Sequence, residues 1–367
     1  MSEMTRKERL LAAMRREPCD RLPTQIDFSP KMLDIMCDCF GKPKRGEEEL
    51  LDVTDNHLVY GFLNDTFGMI RKRALPPEDI ALDNWRCGFD MRQEGISPQV
   101  YPLADFEDTI DSYEFPDPNA PGLTDWAEET IHKWRDQYIV ASYQVTCLLE
   151  RMQAMLGYEN CLFALADDEV EEKVDYLLEG ITDYQVAMAK RYVKLGVTCG
   201  RTGDDYGSQR GMMLSPGMWR EKFKPRLKRI IDVYKEAGLP HIHHSCGNIL
   251  PIIPDLIELG IDVLNNVQPE AMPRSEVKKY RGQITFYGGI STQDILPHGT
   301  PEDIYEEVRS CLEDFGKDTG VILSPGISVV SDVPLRNVNA LFSAFNELNG
   351  SKYTLIPEEH FFRGASV

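Results

Sequence analysis

The segment His241–Gly247 holds the residues with the clearest chemical potential. Its sequence is HIHHSCG, so His244 and Cys246 stand two residues apart near the end of an apolar run. Residues i and i+2 of a strand point to the same side, which places this imidazole and this thiol together. Both groups are ligands that suit Zn²⁺. The alternative interpretation is a small buried thiol beside histidines that bond to backbone carbonyls.

The pair Asp204-Asp205 is the second candidate. It lies between Gly203 and Gly207, which leave the backbone free to turn sharply. One interpretation is a solvated loop. The other is a pair of catalytic carboxylates that contact the substrate or a metal ion.

Neutral hydrogen-bonding groups follow the next apolar run. Asn265, Asn266 and Gln268 offer both donors and acceptors, and we predict that they bind substrate. The alternative is a turn composed of amides. Tyr287 and Ser324 occupy the ends of the two runs that come later in the chain.

The elements that must position these residues alternate between helices and short apolar strands. Strands are predicted at His241–Cys246, Asp262–Val267, Ile284–Gly289 and Val321–Leu323. Repeated strand–helix units imply a parallel sheet that is buried on both faces. We predict a closed (β/α)₈ TIM barrel, whose active site lies at the carboxyl ends of the strands. An open doubly wound sheet is the alternative, although no GxGxxG or GxxxxGK[ST] motif follows a strand.

The N-terminal part of the chain differs from the rest. Residues 1–130 are predicted to form a helix, a strand at Thr24–Phe28 and hairpin excursions in the Pro-rich stretch Leu75–Trp126. Residues 131–367 supply the regular βα units. We therefore predict one barrel domain over residues 1–367.

Composition excludes several classes of function. The 367 residues include 60 acidic and 40 basic side chains, and a net charge of −20 argues against binding to nucleic acid or anionic membranes. The apolar run Tyr138–Leu149 is far shorter than the ~20 residues of a membrane-spanning helix. Nine cysteines without a secretion signal indicate reduced thiols in a cytoplasmic protein.

Longer segments carry a likeness to a known family. The segments HHSCGNILPIIPDLIELGIDVLNNVQPEAM, FYGGISTQDILPHGTPEDIYEEV and GDDYGSQRGMMLSPGMWREKFKP resemble the uroporphyrinogen decarboxylase superfamily. They are most similar to its branch of corrinoid-dependent methyltransferases. The likeness covers essentially the whole chain, implies a (β/α)₈ barrel and is compatible with a homodimer. Gln209, in the third segment, joins the predicted substrate-binding residues.

The resemblance implies two activities, of which the first is decarboxylation. Uroporphyrinogen decarboxylases use no cofactor and bind the porphyrinogen with an arginine-rich segment and a neighbouring aspartate. The corresponding residues 21–28 are RLPTQIDF, and the arginine cluster is missing. Cofactor-free decarboxylation is therefore disfavoured and is kept as the alternative function.

The second implied activity is methyl transfer. The resemblance to thiol-methylating zinc enzymes implies a ligand set of a His-x-Cys pair, a later acidic residue and a C-terminal cysteine. His244 and Cys246 match the pair, and Glu270 lies near the acidic position. No cysteine occurs in Leu323–Ser328, where the last ligand is expected, so thiol methylation is disfavoured.

The activity that remains among those implied by the resemblance is that of a methyltransferase acting on the methyl donor. Such an enzyme takes a methyl group from a small donor, a methoxy-aromatic or methylamine-like compound, and hands it to a corrinoid on a partner protein. The chain has no DxHxxG corrinoid-binding motif. Two ways of activating the leaving group are open. One is Zn²⁺ bound by His244, Cys246 and either Asp205 or Glu270. The other is Tyr287 as a general acid. A non-catalytic binding barrel is the third hypothesis.

Overall fold

Most strands of this protein belong to one parallel system. The computed structural model describes residues 3–76, 79–92, 97–317 and 319–361. Within these ranges the strands are β1 Leu58–Gly61, β2 Ile80–Leu82, β3 Gly88–Asp90, β4 Pro98–Val100, β5 Ile139–Ser142, β6 Gly200–Gly203, β7 His241–His244, β8 Val263–Val267, β9 Thr285–Ile290 and β10 Val321–Pro325. Strands β2, β3 and β4 form a separate antiparallel sheet, and the others pair in parallel.

The parallel strands close into a ring. Strands β6 to β10 form one sheet in the order β10-β9-β8-β7-β6, and β1 pairs with β5. A bridge between Ala141 and Cys199 joins β5 to the start of β6. On the other side, Thr24 bridges both Asn56, just before β1, and Leu323 of β10. These eight segments form a parallel (β/α)₈ barrel, which confirms the predicted fold class in preference to an open doubly wound sheet.

The segment that closes the barrel differs from its prediction. A continuous strand at Thr24–Phe28 is wrong, because only its two end residues form bridges. Between them, Asn56 Oδ1 accepts from the amide of Ile26 and Asn56 Nδ2 donates to the carbonyl of Ile26, both at 2.9 Å. Gln25 Oε1 accepts from two backbone amides at the start of β1. Side-chain amides thus replace much of the backbone ladder at this point.

Helices fill the connections between the strands. They are α1 Arg6–Met14, α2 Pro30–Phe40, α3 Thr66–Arg71, α4 Phe106–Thr109, α5 Asp125–Trp134, α6 Leu149–Leu156, α7 Tyr158–Ala166, α8 Glu171–Leu195, α9 Pro216–Met218, α10 Lys224–Glu236, α11 Ile253–Glu258, α12 Arg274–Val277, α13 Ile295–His298, α14 Pro301–Phe315 and α15 Leu335–Asn349. Ser215 and Thr300 cap α9 and α14 through their hydroxyl groups. A π-helical turn at Trp219–Phe223 joins α9 to α10.

The excursions predicted in the Pro-rich stretch are present. Strands β2, β3 and β4 pair antiparallel there. Phe89 of β3 and Pro98 of β4 extend to a cavity at the carboxyl ends of the barrel strands. The excursion therefore contributes to the site as well as to the periphery.

Burial separates Cys246 from the other cysteines. Eight of the nine cysteines are buried, and Cys246 is the partly exposed one. Within the described ranges, no helix combines the length and the apolar character needed to cross a membrane.

The substitution Asn56→Ala would leave two backbone groups of Ile26 buried without partners. We expect the free energy of unfolding to fall by about 2–6 kcal/mol, since each of the two unsatisfied buried groups costs ~1–3 kcal/mol. Urea denaturation measures this loss. The control is Asn119→Ala, at an exposed position, where we expect a change below ~0.5 kcal/mol. Equal losses in the two variants would contradict the role of Asn56 in closing the barrel.

Candidate active site

A large cavity lies at the carboxyl ends of the barrel strands, where (β/α)₈ enzymes carry their active sites. Its volume is about 640 Å³. Strands β6 to β10 each contribute one of the following residues to its wall, in order: Arg201, His244, Asn265, Tyr287 and Ser324. The loops and excursions add aromatic side chains, namely Phe67, Phe89, Tyr101, Tyr143 and Tyr158. The cavity wall thus combines polar groups at the strand ends with several aromatic side chains from the loops and excursions.

Three residues in this region form a cluster with metal-ligand chemistry. Ligand atoms of Asp205, His244 and Cys246 all lie within 4.8 Å of one another. His244 Nε2 is 3.5 Å from Cys246 Sγ and 3.6 Å from Asp205 Oδ1. The structure therefore brings together the predicted His–Cys pair. Strand β7 ends at His244, two residues earlier than predicted, and the amide of Cys246 donates to Asp205 Oδ1 at 2.7 Å.

Asn265 and Asn266 contact this cluster from the next strand. Asn265 Oδ1 lies 2.8 Å from His244 Nδ1, an arrangement that leaves Nε2 free to accept. Asn266 Nδ2 donates to Cys246 Sγ at 3.6 Å, and Asn266 Oδ1 is buried without a hydrogen-bond partner. Both residues also line the cavity. Their predicted contact with substrate stays a prediction.

Burial determines the charge states within the cluster. Burial, followed by the nearby Asp205 carboxylate, raises the pKa of the Cys246 thiol well above its ordinary value. Burial also lowers the pKa of His244, which keeps the imidazole neutral. An imidazole, a thiol and a carboxylate form a donor set that fits Zn²⁺, and a bound divalent cation favours the thiolate. The unpartnered Asn266 Oδ1 is a further buried oxygen beside this set.

The loops after β6 and β7 hold the cluster through their backbones. Gly207 and Gly247 pack so closely that a Cβ atom on Gly247 would lie 2.3 Å from the Gly207 carbonyl oxygen. The amide of Asn248 donates to the carbonyl of Ser208 at 2.8 Å. Glycine is required at both positions because no side chain fits between the loops.

Asp204 faces away from the cavity. Its carboxylate accepts the amides of residues 148–150 at 2.8 to 2.9 Å and the Tyr206 hydroxyl at 2.9 Å. These amides begin helix α6, so Asp204 acts as a cap supplied from a distant strand. Burial raises the pKa of Asp204 to about 6 against these hydrogen bonds. The structure separates Asp204 from Asp205, although the sequence predicted the same role for both.

Three further predicted residues do not reach the cluster. Gln268 Oε1 accepts from the amide of Gly247 at 2.7 Å and so supports the loop that carries Cys246. Glu270 Oε1 accepts from Ser291 Oγ at 2.7 Å, which directs this carboxylate to another loop. Gln209 is exposed on the turn after β6. None of the three lines the cavity among the residues that the structure describes.

Sequence reasoning missed Asp27, Tyr60 and Arg201, all of which line the cavity. The hydroxyls of Tyr60 and Tyr287 lie 2.9 and 3.3 Å from Asp27 Oδ2 and 3.2 Å from each other. The Arg201 guanidinium lies 5.1 and 5.0 Å from the ring centroids of Tyr60 and Tyr143. The available signals were that Asp27 and Tyr60 stand near the ends of apolar runs and that Asp27 lies in the segment 21–28.

Comparison with known proteins identifies the family. A family model described as uroporphyrinogen decarboxylase (URO-D) matches residues 82–348. The chain belongs to the uroporphyrinogen decarboxylase family. The matched span contains strands β3 to β10 and the whole Asp205 cluster, and it confirms the family that the motifs indicated.

Relatives within this family carry different names. The chain is 24% identical over 360 residues to methylcobamide:CoM methyltransferase MtbA of Methanosarcina acetivorans, covering 93% of this chain and 97% of that protein. It is 28% identical over 136 residues to uroporphyrinogen decarboxylase of Thermus thermophilus, covering 37% of this chain and 38% of that protein. A solved methyltransferase structure from Methanosarcina mazei has a TM-score of 0.68, 19% identity and coverage of 94% of this chain and 99% of that one, which supports the fold.

The substitution Asp204→Ala should mainly affect stability. Three amides at the start of α6 and the Tyr206 hydroxyl lose their acceptor, and we expect a loss of about 3–5 kcal/mol in the free energy of unfolding. The neighbouring Asp205→Ala removes one such bond and should lose about 1 kcal/mol. Urea denaturation compares the two. An equal loss would contradict the separate roles of these carboxylates.

Metal analysis tests the cluster directly. The protein loaded with Zn²⁺ and desalted should hold about one zinc per chain, as a three-residue site of this kind does. Cys246→Ala should lose this zinc, whereas Cys311→Ala, which removes a buried thiol of α14, should retain it. A zinc-free wild-type protein would contradict the fit of this donor set.

The same measurement distinguishes the two candidate carboxylates. Asp205→Asn should lose zinc because Asp205 lies in the cluster, and Glu270→Gln should retain it because Glu270 contacts Ser291. Loss from Glu270→Gln with retention in Asp205→Asn would reverse the assignment.

Proposed function

We propose that this protein is a methyltransferase that takes a methyl group from a small donor and passes it to a corrinoid carried by a partner protein. The observation that carries the proposal is the Asp205–His244–Cys246 cluster beside a cavity of about 640 Å³. A relative that matches along nearly its whole length is named a methylcobamide:CoM methyltransferase, which supports a corrinoid as one of the two methyl carriers in the reaction. In that name the corrinoid gives up the methyl group, so the proposed direction, toward the corrinoid, rests on the site itself.

The end of β10 supports a donor-side role. Ser324 and Ser328 line the cavity there, in the segment where the thiol-methylating branch is expected to have a cysteine ligand. With one sulfur in the cluster, the site is better suited to an oxygen-containing donor than to a thiol acceptor. Phe67, Phe89 and Tyr101 line the cavity and favour an aromatic donor. A methoxy-aromatic compound combines these two properties.

Asp205, His244 and Cys246 are the residues that would hold Zn²⁺. When bound, Zn²⁺ supplies a Lewis acid for the ether oxygen, which is a poor leaving group as an alkoxide or phenoxide. The chain itself supplies orientation. Asn265 fixes the His244 ring, and the backbone amide of Cys246 fixes the Asp205 carboxylate.

Tyr287 is the proposed general acid at the ether oxygen of the methyl donor. Burial raises the pKa of Tyr287 well above its ordinary value, so the hydroxyl keeps its proton at neutral pH. Asp27 is held by the Tyr60 hydroxyl at 2.9 Å, and its contact with Tyr287 is longer, at 3.3 Å. The Tyr287 hydroxyl can therefore turn to the donor's oxygen and stabilise the negative charge that develops as the C–O bond breaks. A reduced corrinoid on the partner protein would supply the nucleophile for the methyl group, and the oxygen would leave with the rest of the donor.

The exposed side of the cavity is the proposed docking face for the partner protein that would carry the corrinoid. Tyr101 and Tyr158 line the cavity, and they are 38% and 51% exposed. Tyrosines that combine an apolar ring with a polar hydroxyl are enriched at protein interfaces. These two side chains are the proposed contacts for the partner.

Decarboxylation of an octacarboxylate is not supported by the charges of the cavity. Among the described residues, Arg71 and Arg201 are the only arginines or lysines in its wall, and Arg71 pairs with Glu47 at 3.1 Å. Arg21, in the segment that corresponds to the arginine-rich one, pairs with Asp55 at 2.7 Å. A substrate with eight carboxylates would therefore lack matching cations.

Methyl transfer to reduced free cobalamin tests the proposal. The zinc-loaded protein, given a panel of neutral and anionic methoxy-aromatic compounds, should form methylcobalamin, detected by absorbance, and the matching phenol, detected by chromatography. Cys246→Ala should lower the rate on the order of 10²-fold, as removal of an electrostatic activator does.

The control for this assay is Cys311→Ala, which should keep the wild-type rate. Coproporphyrinogen formation from uroporphyrinogen would contradict the proposed function. Absence of methylcobalamin with every donor in the panel would contradict it as well.

A further inference from the structure

Two nitrogens of the Arg201 guanidinium lack hydrogen-bond partners. Arg201 lies in β6, lines the cavity and is 6% exposed. Its Nε and Nη1 atoms are buried and have no hydrogen-bond partner among the described residues. A buried charge is ordinarily paired or fully hydrogen-bonded, because removing it from water is costly. The missing partner therefore points to a ligand.

The other arginine in the cavity wall shows the contrast. Arg71 donates from Nη1 to Glu47 Oε1 at 3.1 Å and to the carbonyl of Phe28 at 3.3 Å. Its charge is thus paired with a carboxylate within the protein, and of its buried nitrogen atoms only Nε has no hydrogen-bond partner among the described residues. Arg201 is the cation in the described cavity wall that is free to receive an anion.

The aromatic surroundings of Arg201 favour an anionic ligand over a cationic one. The rings of Tyr60 and Tyr143 both lie about 5 Å from its guanidinium carbon. Such ring faces are the surfaces that bind methylated ammonium groups. Since Arg201 already occupies them, a methylamine-like donor would meet a like charge at this point.

Arg201 and the Asp205 cluster face the same cavity from neighbouring strands. Gly203 pairs with His244 in the parallel register of β6 and β7, and Arg201 stands two residues before Gly203. Residues two apart point to the same side, so Arg201 lies one layer deeper in the barrel than His244. A planar donor can therefore present one end to the cluster and the other to Arg201.

We propose that Arg201 binds the carboxylate of the methyl donor, which makes the substrate class a methoxybenzoate. This inference rests on the proposed function and specifies its substrate. No hydrogen bond or ion pair joins the nearby Asp27 to Arg201 among the described residues, and the Asp27 carboxylate accepts instead from Tyr60, Tyr287 and Gln25. Guanidinium–carboxylate contacts are strong charge-assisted hydrogen bonds.

Calorimetric titration without any corrinoid tests this subsite. The ligands are 3- and 4-methoxybenzoate and the two matching methoxybenzamides, which differ from the acids in charge. Wild-type protein should bind at least one carboxylate about tenfold or more tightly than its amide, in line with a hydrogen bond to a charged group. Arg201→Gln should bind that carboxylate and its amide equally, and Arg201→Lys should retain part of the preference.

A matched control and a folding control accompany these variants. Arg220→Gln removes a half-exposed charge that pairs with Asp255, and it should keep the wild-type preference. Unchanged binding of the amide by Arg201→Gln shows that its cavity is intact. If Arg201→Gln does not fold, the comparison of Arg201→Lys with the wild type tests the subsite. Lysine has the same charge and a shorter reach, so this variant should bind the carboxylate more weakly and the amide as the wild type does.

Several results would overturn the proposal. They are equal binding of carboxylate and amide by the wild type, no binding of either carboxylate, a preference that persists in Arg201→Gln, and Arg201→Lys binding both ligands as the wild type does. If the wild type prefers the carboxylate over the amide through Arg201 but transfers no methyl group, the proposed function is refuted and the carboxylate-binding subsite stands. Methyl transfer from neutral donors alone would refute the subsite and leave the function.

Discussion

Successive side chains of a strand point in opposite directions, and the functional end of this barrel depends on that constraint. Asp204 is directed outward to the amides that begin α6, whereas Asp205 is directed to the cluster. On β7, His243 bonds to the Thr202 hydroxyl at 2.9 Å within the scaffold, and His244 lines the cavity. The ends of β6 and β7 thus each combine one residue that holds the structure with one that is available for chemistry.

The fold could be predicted because independent local signals agree. Capping residues such as Ser215 and Thr300 mark helix starts, and short apolar runs between the helices mark strands. The closing segment could not be predicted in the same way. Its pairing relies on the side chains of Gln25 and Asn56, which are 31 residues apart in the chain, and hydrophobic periodicity carries no information about such contacts.

The site could be predicted only in part. The spacing of His244 and Cys246 predicted that they lie together, on the assumption that both stand on one strand. Strand β7 ends at His244, and the two side chains still meet because the Ser245 amide continues the ladder by donating to the Asn265 carbonyl at 2.7 Å. The choice between Asp205 and Glu270 as their carboxylate partner depends on which loop returns to β7, and that is a property of three-dimensional structure. No sequence motif marks Arg201. It is distinguished by two buried nitrogens without hydrogen-bond partners, and only the three-dimensional structure shows this.

The backbone contact between Gly207 and Gly247 has an entropic consequence. The two loops that carry Asp205 and Cys246 are fixed to each other when the chain folds, so their conformational freedom is lost before any ligand arrives. Binding at this site then needs little rearrangement, and the preorganised groups act as a rigid receptor. A methyl group at either glycine would push the two loops apart. The groups that bind the ligand would then have to be brought together in each binding event, at a cost in conformational entropy.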